Sequence, residues 1–71
     1  MSEMHAPLPA QVQAARAAVG LTQREAAELV HLLDAKRWGE YETGARKMDT
    51  ARWHLFLLLT RQVALPARKR A

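Results

Sequence analysis

The side chains of this chain that can act on a partner are charged hydrogen-bond donors, and they gather in its middle. Arg24 is followed by Lys36-Arg37, with Glu40 close by as an acceptor, and then by the basic run Ala45-Arg46-Lys47. Lysine and arginine can donate to guanine O6 and N7, glutamate can accept from cytosine N4, and an alanine methyl such as that of Ala35 can touch a thymine methyl. The 71 residues carry a formal net charge of +4, with a sequence pI near 10.4, which suits a polyanionic partner. A basic balance also occurs without any nucleic acid, so charge alone does not choose that partner. Other chemistries lack their parts. His5, His31 and His54 are neither at i, i+4 spacing nor beside a carboxylate cluster, and there is no cysteine, so no metal is expected. No nucleophile–base–orienter set and no glycine-rich phosphate cradle is present, so the chain reads as a non-enzyme without a cofactor. Trp38, Tyr41 and Trp53 lie at helical spacing among aliphatics and read as core and interface anchors, not as platforms for stacked bases.

The elements that must position these residues are helices. Gly and Pro are scarce and Ala and Leu abundant, which predicts an all-helical fold. Pro9 suits the first position of a helix running to about Val19 and stopped by Gly20, with Val12, Ala15 and Val19 as its buried stripe and Leu8 placed to staple its entry. Thr22 and Glu25 form an S/T-x-x-E capping box opening a second helix from about Gln23 to Val30, with Ala26, Ala27 and Val30 inward. Asp34 is the N-cap of a third, on which Trp38 and Tyr41 share a face and which Gly44 closes. Gly39 is unusual inside that helix, where it costs roughly 1 kcal/mol against Ala. Close approach to a partner and close approach to the preceding turn would each explain it. Asp49 caps a fourth helix from about Thr50 to Arg61.

The stretch from Leu21 to Met48, LTQREAAELVHLLDAKRWGEYETGARKM, resembles the helix-turn-helix of the Cro/CI-type (XRE-like) phage repressor family. The matching residues are Leu21-Thr22-Gln23, Ala27, and Tyr41-Glu42-Thr43-Gly44, extended by Trp53-His54-Leu55-Phe56-Leu57-Leu58-Leu59-Thr60. The match spans roughly residues 12 to 60 and looks closest to small phage and mobile-element regulators, including those encoded beside anti-CRISPR genes. The resemblance implies a small four- to five-helix bundle with a lambda-repressor-like helix-turn-helix. In such a unit the second helix enters the major groove of DNA. Carried over residue by residue, the base-contacting positions are Ala35, Lys36, Arg37 and Glu40. Phosphate contacts fall to Thr22 and Gln23 at a helix N-terminus, and to Arg24, Arg46 and Lys47 on either side. Arg52 and Arg61 read as phosphate clamps or as solvated helix charges. The family often pairs an arginine of its first helix with the glutamate of its [YW]-E-x-G segment, which here are Arg16 and Glu42. The other reading is two solvated charges. The chain departs from the family between its second helix and Asp34. Members usually carry a glycine and one apolar residue there, whereas this chain has His31-Leu32-Leu33, one residue longer and without glycine. Placing the extra residue in the turn keeps Asp34 at family spacing to Trp38, Tyr41 and Gly44. Placing it inside the third helix shifts the base contacts by one.

The fourth helix is apolar nearly all round. Met48, Ala51, Leu55, Leu58 and Leu59 suit an inner face, which leaves Trp53, Phe56 and Leu57 for a two-fold dimer interface. An N-terminal arm or a C-terminal tail folded over that patch is the other way to cover it. The expected organisation is a disordered segment over 1–7, the helix-turn-helix domain with its dimerisation helix over 8–63, and a basic tail over 64–71. That tail could reach phosphates or serve only solubility. No apolar run approaches about 20 residues, so no membrane span is expected. The first ten residues carry no signal pattern, so a cytoplasmic location is the default. These readings together predict a dimeric repressor binding double-stranded DNA at an inverted repeat, acting on its own promoter and controlled by concentration, with no small-molecule ligand. An antitoxin of a toxin–antitoxin pair and a helical protein-interaction module without DNA binding are the alternatives.

Overall fold

The computed structural model of the chain describes residues 5–63. Among these there are four helices and no strand: α1 (Pro9–Ala18), α2 (Gln23–Leu29), α3 (Ala35–Thr43) and α4 (Thr50–Leu59). Helices this short are marginal in isolation, so their boundaries rest on caps and their persistence on packing.

Each start is capped as its residue types require. Thr22 and Glu25 exchange bonds, with the Glu25 amide donating to Thr22 Oγ1 at 3.0 Å and the Thr22 amide donating to Glu25 Oε1 at 2.9 Å. Asp34 accepts from the Arg37 amide and Asp49 from the Arg52 amide. At α1 the N-cap is Leu8, whose amide donates to Gln11 Oε1 at 2.8 Å. Leu8 is 65% exposed and forms no staple. Pro7 does the inward packing instead, which corrects the expectation of disorder through residue 7. Residues 1–4 and the basic tail 64–71 lie outside the described residues.

The ends share one device. A left-handed residue follows every helix: Gly20 (φ 69), His31 (φ 64), Gly44 (φ 88) and Arg61 (φ 62). After α1, α2 and α4 the next two amides turn back onto the helix in the Schellman pattern. After α2, for example, the Leu32 amide donates to the Ala27 carbonyl at 2.9 Å and the His31 amide to that of Glu28 at 3.2 Å. His31 thus holds the backbone conformation for which glycine is the usual choice. Leu33 projects 101% exposed between the half-buried Leu32 and the cap Asp34. It lies in the turn between α2 and α3, and α3 begins after its N-cap Asp34.

The core is Val12 and Ala15 of α1, Ala26, Ala27 and Val30 at α2, Trp38 and Tyr41 of α3, Met48, and Phe56 of α4. Ala26 and Ala27 keep α2 slim enough for α3 to lie close. Trp38 is the centre, with its ring 6.2 Å from Tyr41 edge-on and 4.9 Å from Phe56. Two expectations are corrected here. Val19 is solvent-facing, because α1 ends at Ala18 and the chain turns away before the stripe reaches it. The inner face of α4 is centred on Phe56, which is 0% exposed, whereas Ala51 is exposed and Leu59 is 49% exposed. Phe56 is therefore not an interface residue. Trp53 and Leu57 pack partly against the core and keep part of their surface outward. Helix α4 also stops at Leu59, two residues before Arg61, where the Thr60 hydroxyl takes the Phe56 carbonyl at 2.7 Å.

His31→Gly removes the penalty of a side chain at positive φ, which is on the order of 1 kcal/mol. The expected result in thermal unfolding is a Tm higher by about 4–8 °C. An unchanged or lowered Tm would mean that the imidazole itself contributes to the turn.

Candidate nucleic-acid interface

Helix α3 presents Lys36 and Arg37 outward because its opposite side is tied down. Glu42 is the tie. Its carboxylate accepts from Arg16 Nε, from Arg16 Nη2 at 3.2 Å, from Trp38 Nε1 at 2.6 Å and from Gln23 Nε2 at 3.1 Å. Arg16 Nη1 also donates to the Leu21 carbonyl at 2.9 Å. One side chain thus joins α1, the chain entering α2, and α3. The ion pair is largely buried, with side-chain exposures of 20% for Arg16 and 6% for Glu42. Burial by itself pushes the Glu42 carboxyl up. The hydrogen bonds from Arg16, Trp38 and Gln23 and the arginine charge outweigh it and hold the group below its ordinary value. The bond to Glu42 raises Arg16 in turn, against its own desolvation.

With that side fixed, Lys36 and Arg37 are exposed, and Ala35, Gly39 and Glu40 are half-buried at the surface. An open hollow of about 440 Å³ lies along α3, lined by Gln23, Ala35, Lys36, Gly39, Glu40 and Thr43. It brings together three of the four residues expected at base edges. Arg37 stands apart on the other flank, beside His31, Leu32, Leu33, Asp34 and Arg52. Glu40 is not a free acceptor, because its Oε1 lies 3.4 Å from Arg37 Nε and 3.2 Å from Arg46 Nε. These three charges form a chain from the start of α3 into the loop after it.

The residues expected at phosphates divide into two kinds. Arg24, Arg46 and Lys47 are exposed cations. Thr22 and Gln23 are exposed as residues, but their polar groups already bond within the protein, Thr22 to Glu25 and Gln23 to Glu42. Gln23 thus ties the start of α2 to Glu42 through its Nε2 while remaining exposed. Arg52 is structural too, with its Nε donating to the Val30 carbonyl at 2.8 Å and its Nη1 pairing with Asp49 at 3.1 Å. It closes the end of α2 onto the start of α4.

Sequence reasoning did not find the bond from Trp38 to Glu42 or that from Gln23. The first has a signal in the i, i+4 spacing of the two residues. The second has none, because 19 positions separate its partners. The Arg37–Glu40 contact was likewise available from i, i+3 spacing.

No helix among the described residues is long and apolar enough to cross a membrane. No protein-family model matches the chain, and no curated protein matches it, so its function has to be argued from the geometry above.

Glu42→Ala leaves the Arg16 guanidinium and the Trp38 indole N–H without their acceptor. The expected loss is on the order of 3 kcal/mol, at the low end for a buried pair because Arg16 keeps some access to water. Acid provides a second check. Because the folded value of Glu42 is depressed, its contribution is complete above the unfolded carboxyl pKa of about 4.3 and declines as pH falls through the folded value. Denaturant titrations of the wild type and Glu42→Gln should therefore give a stability gap at neutral pH that narrows on acidification. A gap independent of pH would contradict the assignment.

Proposed function

We propose that this protein is a sequence-reading DNA-binding regulator of transcription, acting as a dimeric repressor on an inverted-repeat operator. The observation that carries the reading is the pairing of a slim capped helix, α2, with a helix, α3, anchored from behind by Glu42 and presenting Lys36, Arg37 and Glu40 to solvent. A helix held at its inner side and polar at its outer side is what the major groove admits. Lys36 and Arg37 supply donors for guanine. Glu40 supplies an acceptor once one of its arginines turns to the DNA. Arg24 and Lys47 lie on either side for phosphates, and phosphate contact supplies most of the affinity while base contact supplies the choice of site.

Trp53 and Leu57, with half-buried Leu55 and Leu58 beside them, support pairing of two copies through α4. Two-fold pairing would set half-sites about one helical turn apart. The same partly exposed face is the observation that favours the second reading, in which α4 meets a different protein, as in an antitoxin or a helical interaction module.

The test is a mobility-shift titration against the DNA immediately upstream of this protein's own reading frame, with a scrambled duplex as control, at two salt concentrations. Preferential binding to the upstream duplex is expected. Lys36→Ala and Arg37→Ala should each reduce discrimination by about 1–3 kcal/mol. Lys47→Ala should weaken both duplexes alike and lower the salt slope by about one. Binding that ignores salt, or that survives charge reversal at Lys36 and Arg37, would move the function to α4 and a protein partner.

A further inference from the structure

Gly39 occupies the middle of α3, where neither a positive φ nor a Cβ clash requires a glycine. A glycine within a helix weakens it relative to alanine, through the extra freedom of the unfolded chain. Some constraint must therefore favour the missing side chain. The other two glycines have one each. Gly20 and Gly44 hold left-handed backbone, and a Cβ at Gly44 would also come within 3.3 Å of Pro9 Cγ. Gly39 is not among the residues of positive φ. The atoms nearest to a Cβ built on it are at the end of the Gln23 side chain, with Oε1 at 3.5 Å and Cδ and Nε2 at 3.9 Å, which is ordinary van der Waals contact. The three nearest atoms all belong to Gln23 of α2, so the turn before α3 is not what that Cβ would first meet. What the absent side chain leaves clear is the hollow along α3, between Lys36 and Glu40 on one side and Gln23 on the other.

We infer that the backbone at Gly39 is the point of closest approach between α3 and DNA, and that the space kept open there seats the 5-methyl group of a thymine on the major-groove edge of a base pair. This rests on the DNA-binding reading above. Ala35 and Gly39 both line the hollow and bring to it a methyl and a bare Cα beside the Gln23 amide, an apolar patch of floor that suits the one apolar projection that the major-groove edge offers. Lys36 and Glu40 border the same floor with a donor and an acceptor, so the neighbouring base edges are read from the same place. A methyl group on residue 39 and a methyl group on the base would compete for one volume.

That competition makes the test. A duplex selected by the wild-type protein from a randomised pool serves as the probe, and each thymine of its half-site is replaced in turn by deoxyuridine, which lacks only the methyl. Gly39→Ala is expected to raise Tm by about 4 °C or more, since helix propensity improves. It is expected to weaken binding to the all-thymine duplex by about tenfold or more. Deoxyuridine at one position should bring the variant back to within about threefold of wild type, and should itself weaken the wild type by removing a contact. Opposite signs for stability and binding are what a merely structural glycine would not produce. The inference is overturned if the variant binds the all-thymine duplex as the wild type does, if its Tm falls, or if no deoxyuridine position relieves the loss. A pool in which nothing is enriched would remove the DNA-binding reading itself, and is distinguishable because it concerns the wild type alone.

Discussion

A single buried carboxylate fixes how the two outward-facing helices sit on the body of this protein. Glu42 is charged and nearly sealed from water, a state that is tolerable only when every lone pair is answered. Arg16 from α1, Trp38 from α3 and Gln23 from the start of α2 answer it together. Any other angle of α3 would part that charge from the Arg16 guanidinium of α1 and the Gln23 amide of α2, while the bond from Trp38, which lies on α3 itself, would move with the helix. A buried ion pair is weak evidence of net stability against an apolar replacement. Its consequence here is orientation. Trp38 links this polar layer to the apolar one, since its ring packs on Phe56 and Tyr41 while its N–H reaches Glu42. The pose of α3, and with it the direction of Lys36 and Glu40, follows from satisfying both layers at once.

The rest of the frame is built from helix ends. Helices of seven to ten residues cannot persist alone, so each is delimited by a cap before it and a left-handed residue after it. Two of those residues are glycine, and two are His31 and Arg61, which hold the conformation at some expense of stability. Arg52 joins two ends directly, bonding the Val30 carbonyl where α2 stops and Asp49 where α4 starts. Among the described residues no buried side-chain nitrogen or oxygen is left without a partner.

Much of this was legible in the sequence, and the reasons differ from residue to residue. The caps Thr22, Asp34 and Asp49 were legible because capping is local and depends on residue type. Trp38 and Tyr41 were legible because their spacing selects one face of a helix. The phase of α4 was not legible. A helix apolar at Trp53, Leu55, Phe56, Leu57, Leu58 and Leu59 has no polar side to mark its outside, and only the fit of Phe56 against Trp38 decides it. The reach of Gln23 to Glu42 and the double engagement of Glu40 with Arg37 and Arg46 are tertiary events, which no pattern within one helix records in full. Val19 was misassigned because periodicity extended the stripe of α1 beyond the point where Gly20 lets the chain turn.

In the proposed function α3 meets DNA and α4 meets a second copy of the chain. Hydrogen exchange followed by mass spectrometry, with and without the upstream duplex, separates the two in one experiment. The expected result is added protection over residues 35–47 with the upstream duplex and much less with a scrambled one, while residues 50–59 exchange alike in all three samples. Protection confined to 50–59, or none anywhere on adding DNA, would contradict the assignment of α3 as the surface that meets a partner.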